Sequence, residues 1–261
     1  MSILAWLSLA DTDVIFQNGG LSIVASYAGC GKTSFLANLC CSIMNDKRVL
    51  FFTNAHSTLH SVFRILAIKH NLNINLLFSD SGGEVDRLEK SLEKENIGEI
   101  IEKNVIIQDL PNPHIQYVYK TAHELHKEKP IDAILFDDIG LVRTLSDGSN
   151  YQLAETMSEL KLIARELSVP LIATHQLSRT HITSAREPLL HDLSGSASVE
   201  QIADMVLFIV PQKETEYHHS GQIRVMKDRY GKRGYFYYDT AKKTNKISLS
   251  DFYVSGVDKK K

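Results

Sequence analysis

Leu21-Ser22-Ile23-Val24-Ala25, then Ser26-Tyr27-Ala28-Gly29-Cys30-Gly31-Lys32-Thr33, then Ser34-Phe35-Leu36-Ala37-Asn38-Leu39 is the stretch that decides the fold. The first five residues read as a strand, and the last six open an amphipathic helix. A small-residue loop ending in Gly-Lys-Thr at such a junction aims backbone N–H groups and a helix N-terminus at an anion. In that setting Lys32 reaches the β- and γ-phosphates of a nucleoside triphosphate and the Thr33 hydroxyl ligates Mg²⁺, so residues 26–34 are the candidate nucleotide site. The pattern G-x-x-x-x-G-K-[ST] is broken once, because Ser26 stands where the first glycine is expected.

Further apolar runs follow with helical segments between them: Arg48-Val49-Leu50-Phe51-Phe52, Asn104-Val105-Ile106-Ile107-Gln108, Ala133-Ile134-Leu135-Phe136, Val169-Pro170-Leu171-Ile172-Ala173-Thr174 and Met205-Val206-Leu207-Phe208-Ile209-Val210. Continuous apolar runs, rather than alternating ones, predict strands covered on both faces, as in a parallel sheet. Ahead of the 169–174 run, Leu153, Met157, Leu160, Ala164 and Leu167 mark one helix face, with Asp147, Ser149 and Asn150 offering its N-cap. Near the C-terminus the pattern changes, and Gln222 to Lys227 with Gly234 to Asp239 predict two antiparallel strands joined by a glycine-containing turn. The fold class is therefore α/β, a mostly parallel sheet ending in a β-hairpin.

A length of 261 residues suits one α/β unit, and 43% hydrophobic residues suffice for its core. The net charge of −2 excludes a globally basic nucleic-acid binder, so any polyanion must meet a local basic surface. Cys30, Cys40 and Cys41 have no partner at metal-ligand spacing and read as reduced thiols. The opening Met1-Ser2-Ile3-Leu4-Ala5-Trp6-Leu7 lacks the basic start of a signal peptide, and no run is long enough to span a bilayer. The expectation is a cytoplasmic protein, in a bacterial or phage-infected cell, with no membrane partner.

Three further positions carry chemistry. Asp137 ends an apolar strand, where α/β sheets bind their ligands, and with Thr33 it is the candidate Mg²⁺ holder. A turn aspartate is the plain alternative. Gln176 also emerges after a strand, where an amide can sense a γ-phosphate. Lys227-Asp228-Arg229-Tyr230-Gly231 lies at the expected hairpin tip, fit either for an arginine finger serving a neighbour's nucleotide or for a solvated basic turn.

From the phosphate loop to the hairpin the chain resembles the RecA-like ATPase domain of DnaB-type replicative helicases, a class that includes phage and mitochondrial relatives. Ile163 to Ala173 followed by Gln176-Leu177-Ser178-Arg179 is similar to that family's third helicase motif, and Lys227, Arg229 and Gly231 match its K-x-R-x-G hairpin. Asp192-Leu193, Ser196, Ser198-Val199-Glu200-Gln201 and Ala203-Asp204 resemble the segment just downstream of the motif. The resemblance implies ATP and Mg²⁺, with Lys32, Thr33, Asp137 and Gln176 serving one subunit's nucleotide and Lys227 and Arg229 serving the next subunit's. It also implies a homo-oligomeric, hexameric ring on single-stranded DNA, touched by Arg179 and Arg186, and a primase or loader protein as a further partner.

The departures matter equally. Aligning Phe51-Phe52-Thr53-Asn54-Ala55-His56-Ser57 through to Arg64 puts Ala55 where the family keeps a water-orienting glutamate, so impaired hydrolysis with retained binding is expected. A naturally weak ATPase, an alanine introduced to trap nucleotide, and a takeover by Asp138 all remain open on sequence grounds. Asp192-Leu193-Ser194-Gly195 lacks the Arg-Glu expected after the leucine. Residues 1–20 are too short for the primase-binding domain and linker helix of full-length relatives, so Ile3, Leu4, Trp6 and Leu7 either dock next door or complete this subunit's own core. The expected division is a segment at 1–20, a RecA-like P-loop ATPase domain at 21–255 and a charged tail at 256–261. The function expected is an ATP-dependent, single-strand-translocating helicase of replication. The alternatives are a non-hydrolysing, ATP-binding replication accessory and a RecA-type recombination ATPase.

Overall fold

The computed structural model describes residues 16–79, 83, 86, 97–145, 149–178, 187–193, 195–231 and 233–254. Their strands are β1 Leu21–Ser26, β2 Val49–Thr53, β3 Val105–Asp109, β4 Ala133–Asp137, β5 Leu171–Gln176, β6 Met205–Glu214, β7 His218–Asp228, β8 Gly234–Ala241 and β9 Ile247–Val254. They form one sheet in the order β3-β2-β4-β5-β1-β6-β7-β8-β9. Pairing is parallel from β3 to β6 and antiparallel from β6 to β9. The helices are α1 Lys32–Ile43, α2 Thr58–His70, α3 Ile74–Ser79, α4 Ile97–Asn104, α5 Ile115–Glu128, α6 Ser149–Leu167 and α7 Ser196–Ile202.

Alternate residues of each parallel strand feed two separate cores, which is why those runs are apolar throughout. Val24, Phe51, Leu135, Ile172 and Leu207 pack under α1 and α2, against Phe35, Leu39, Ile65 and Ile68. Ile23, Phe52, Phe136, Ala173 and Phe208 pack on the other face against α5, α6 and α7. The helix face read from sequence is the buried one: Leu153, Met157, Leu160 and Ala164 are buried, and Leu167 is partly so. Asp147 of its expected cap and the segment Ile3, Leu4, Trp6 and Leu7 lie outside the described residues.

Several strand ends shift from expectation by one to a few residues, and two differences have a clear physical reason. β5 starts at Leu171 rather than Val169, because the Val169 N–H donates to Ala164 O at the end of α6 and Pro170 has no N–H to give. The C-terminal hairpin is the centre of a larger antiparallel arm, since β7 also pairs with the long β6 and β8 with β9. β9 carries Ser248, Ser250 and Asp251 among its apolar residues, and that polarity hides it in a sequence reading.

Asp204 pins the lower end of the sheet, where α7 gives way to β6. Its buried carboxylate accepts the Leu21 N–H at 2.8 Å and the Lys161 ammonium of α6, and pairs with Arg229 at 3.3 Å. Lys161 also donates to Gly19 O at 2.8 Å. Removing one partner of a largely buried pair leaves the other uncompensated. Asp204→Ala is therefore expected to lower unfolding free energy by about 3 kcal/mol. The urea midpoint should fall with an unchanged slope, and Asp204→Asn, which keeps an acceptor for Leu21, should fall less.

Candidate functional site: a phosphate loop at the strand tips

β1 ends at Ser26, and the chain turns through Gly29 (φ 76°) and Gly31 (φ 93°) before α1 begins at Lys32. Both glycines occupy the left-handed region that a side chain would strain, and a Cβ at either would meet nothing within 4 Å, so the cradle is open. Ser26 fits the first glycine's position by turning inward: it is fully buried and its hydroxyl donates to Tyr27 O at 2.9 Å. Lys32 Nζ donates to the same carbonyl at 3.4 Å, which keeps the ammonium over the loop. The first turn of α1 carries no acidic residue to compete with an anion. Burial pushes the Cys30 thiol up against the opposing pull of Lys32, so it stays neutral within the loop.

Asp137 closes the site from β4. Its two carboxylate oxygens accept hydroxyl hydrogen bonds at 2.6 Å each, one from Thr33 and one from Thr174 of β5. Thr33 and Asp137 together present hard oxygen donors beside the open cradle, a set that fits Mg²⁺ with phosphate and water completing the shell. Arg64 of α2 donates to Ser34 Oγ at 3.3 Å, and burial holds its guanidinium below its usual pKa while the nearby Asp137 opposes that. Gln176, the last residue of β5, lies opposite Ser26 in the parallel register, beside the first residue of the loop.

A cavity of about 580 Å³ is lined by Ala55, Asp138, Thr156, His175 and Gln176 among others, and Gln176 connects it to the loop by pairing with Ser26. Asn54 holds its rim: the Asp138 N–H donates to Asn54 Oδ1 at 2.9 Å, and Asn54 Nδ2 donates to Asp138 O at 2.7 Å.

Lys227 and Arg229 lie elsewhere. Lys227 belongs to β7 rather than to a protruding tip, and its ammonium donates to the carbonyls of Glu200 and Ala203, both at 2.5 Å. Burial, then the neighbouring Arg229, lowers its pKa. Arg229 donates to Gln201 O at 3.1 Å and pairs with Asp204. A Cβ at Gly231 would meet the Asp228 carboxylate, which would have to turn aside to admit it. Asp228 pairs with Met205, and Met205 in turn with Ser22 near the start of β1, so these cations sit at the opposite end of β1 from Ser26. Arg179 and Arg186 lie outside the described residues.

Thr174, Asn54 and His175 are site residues that the sequence reading did not single out. Thr174 alone had a usable signal, being two positions from Gln176 and therefore on the same strand face. No helix among the described residues is long and apolar enough to cross a membrane.

Against known proteins, residues 8–248 match the family model of the DnaB-like helicase C-terminal domain. The replicative DNA helicase DnaC of Bacillus subtilis is 30% identical over 229 residues, which is 84% of this chain and 50% of that protein. The replicative DNA helicase DnaB of Buchnera aphidicola is 31% identical over 215 residues, 80% of this chain and 45% of that protein. The chain thus spans about half the length of these relatives. Among solved structures, a DnaB-like replicative helicase studied for its interactions with primase superposes with a TM-score of 0.78 at 21% identity, covering 90% of this chain and 58% of that one. A second solved structure, of an ATPase domain, gives 0.77 at 21% identity, covering 91% of this chain and 86% of that one. Both likenesses concern the fold.

The loop geometry makes Lys32 the candidate cation for a bound triphosphate. Lys32→Ala should abolish binding of a fluorescent ATP analogue while the far-UV circular dichroism spectrum stays unchanged; undiminished affinity in the folded variant would refute the assignment.

Proposed function

We infer the activity from the family, for this chain belongs to the DnaB-like helicase C-terminal domain family: we propose a ring-forming, ATP-dependent DNA motor of replication that acts as a helicase on single-stranded DNA. The observation that carries the proposal is the separation of two halves of a nucleotide site within one subunit. The phosphate loop follows Ser26 at one end of β1, whereas Arg229 is bonded to Asp204, level with Leu21 at the other. Five residues of strand at about 3.3 Å each put roughly 17 Å of backbone between them. An arginine side chain cannot cross that distance and still keep its contacts at residues 201–204. One subunit therefore supplies Lys32, Thr33, Asp137 and Gln176, and a neighbour supplies Lys227 and Arg229, which supports a closed ring, hexameric by likeness to the family.

Within this reading each residue has a task. The loop N–H groups and Lys32 bind and orient the phosphates, and Gln176 reports the γ-phosphate to β5 and to the segment that follows it. Thr33 and Asp137 would hold Mg²⁺, which when bound neutralises charge on the β- and γ-phosphates. Arg229 brings a guanidinium to the charge that develops during transfer. Arg179 and Arg186 would touch the DNA backbone, and a primase or loader protein is a further partner of the assembled ring. Retention of the Thr33–Asp137 pair, Gln176 and Arg229 favours a motor over an accessory that only holds nucleotide.

Arginine fingers contribute about 10³-fold or more to turnover. Mixing Arg229→Ala subunits with Lys32→Ala subunits should therefore restore part of the ATPase activity that each lacks alone, because some interfaces regain both halves. Absence of rescue in proteins shown to co-assemble would place Arg229 outside the neighbour's site. DNA binding should weaken steadily with salt and be nearly indifferent to base sequence, as measured by fluorescence anisotropy on single strands. A salt-insensitive affinity would contradict contact through phosphates.

A further inference from the structure

We propose that Asp138 is the catalytic carboxylate that orients the attacking water in this chain, standing in for the glutamate that Ala55 replaces; the inference deepens the ATPase reading above and rests on it. Three observations carry it. Ala55 and Asp138 line the same cavity, together with Gln176, whose strand partner Ser26 opens the phosphate loop. They follow paired strand ends, Thr53 of β2 lying opposite Asp137 of β4, so Ala55 and Asp138 stand two and one residues beyond neighbouring strands that lie about one spacing, ~4.8 Å, apart. The shorter aspartate therefore starts one strand nearer to β5 and the loop, in the order β2-β4-β5-β1.

The carboxylate is also held in place. Asn54, the residue before Ala55, clamps the Asp138 backbone through both its N–H and its carbonyl. Oδ1 accepts the Gly140 N–H at 2.7 Å, and the His175 ring lies 3.8 Å from the same oxygen. Among the described residues no hydrogen bond engages Oδ2, and the side chain, which lines the cavity, retains 19% exposure.

In the step proposed, the water oxygen forms a bond to the γ-phosphorus as the bond from that phosphorus to the β–γ bridging oxygen breaks. ADP leaves with the electron pair. Asp138 accepts the water's proton and returns it to the released phosphate.

The test uses the full chain and four proteins: the unaltered chain, Asp138→Asn, Ala55→Glu and the double variant. Asparagine keeps an acceptor for Gly140, so the local turn persists. Asp138→Asn is expected to lower kcat by about 100-fold or more while the affinity for a fluorescent ATP analogue changes by less than about twofold. Nucleotide recovered from the isolated Asp138→Asn complex should be ATP rather than ADP. Ala55→Glu placed in Asp138→Asn should restore much of the lost turnover, which a purely structural defect would not allow. Unchanged turnover in Asp138→Asn, loss of analogue binding along with turnover, or no recovery in the double variant would each overturn the proposal. An unaltered chain that binds the analogue tightly but never hydrolyses ATP would overturn it and leave the nucleotide site standing. Failure of the unaltered chain to bind the analogue would instead overturn the ATPase reading itself.

Discussion

The hydrogen bond from the Thr33 hydroxyl to the Asp137 carboxylate joins residues 104 positions apart, and it forms only if three strands end at the same level. β5 lies between β4 and β1, so the loop leaving β1 must arch over β5 to bring Thr33 to Asp137. Thr174 of β5 occupies the gap beneath and takes the second carboxylate oxygen. A one-residue slip in either pairing would turn Thr174 or Asp137 to the opposite face and undo the contact. The two cores prevent that slip, because each strand carries apolar residues on both faces whose exchange would misfit Phe52 against Phe136, ring centroids 5.5 Å apart. Packing thus fixes a polar contact that could not hold the register alone.

Asp137 is 2% exposed, and a carboxylate so placed is tolerated only when its charge is met. Two hydroxyl donors meet it directly, and Arg64 lies near enough to oppose its field. Arg64 belongs to α2, whose N-cap Ser57, two residues after Ala55, accepts the His60 N–H. The segment between β2 and α2 is consequently anchored at both ends, by Asn54 on Asp138 and by Ser57 on α2, with Ala55 held between them. A side chain at that position is aimed by its neighbours' hydrogen bonds, whatever residue stands there.

The sequence made the parallel half of this architecture legible because its physics is local and repetitive. Apolar runs such as Leu50-Phe51-Phe52 have few alternatives to a strand covered on both sides, and Gly31-Lys32-Thr33 has few uses other than a phosphate cradle. The antiparallel arm was harder to read. β9 mixes Ile247 and Leu249 with Ser248, Ser250 and Asp251, of which Ser248 and Asp251 are exposed. Thr174 and Asn54 escaped for another reason: each acts through a partner more than thirty residues away, and nothing in the neighbouring residues announces that partner. Lys227 and Arg229 were legible as a motif, but their seat on residues 200–204 depends on how β7 folds back along β6.

That seat bears on how two adjacent cations divide their labour. Lys227 gives its ammonium to two carbonyls and is lowered in pKa by burial, so releasing it would leave both carbonyls without their donor. Arg229 shares Asp204 with Lys161 and the Leu21 N–H, and its side chain is 44% exposed. Asp204 is only 4% exposed on its side chain, so the pair is open to water on the arginine side alone. Asp204 would remain paired with Lys161 after Arg229 left, so no buried charge is stranded by the exchange. In a ring, a neighbour's triphosphate would compete with the shared Asp204 and one carbonyl, that of Gln201, for Arg229, and with two shorter carbonyl bonds for Lys227. In the proposed ring the guanidinium would therefore be the readier of the two cations to reach a neighbour's phosphates, and Lys227 would join it only by giving up both carbonyls.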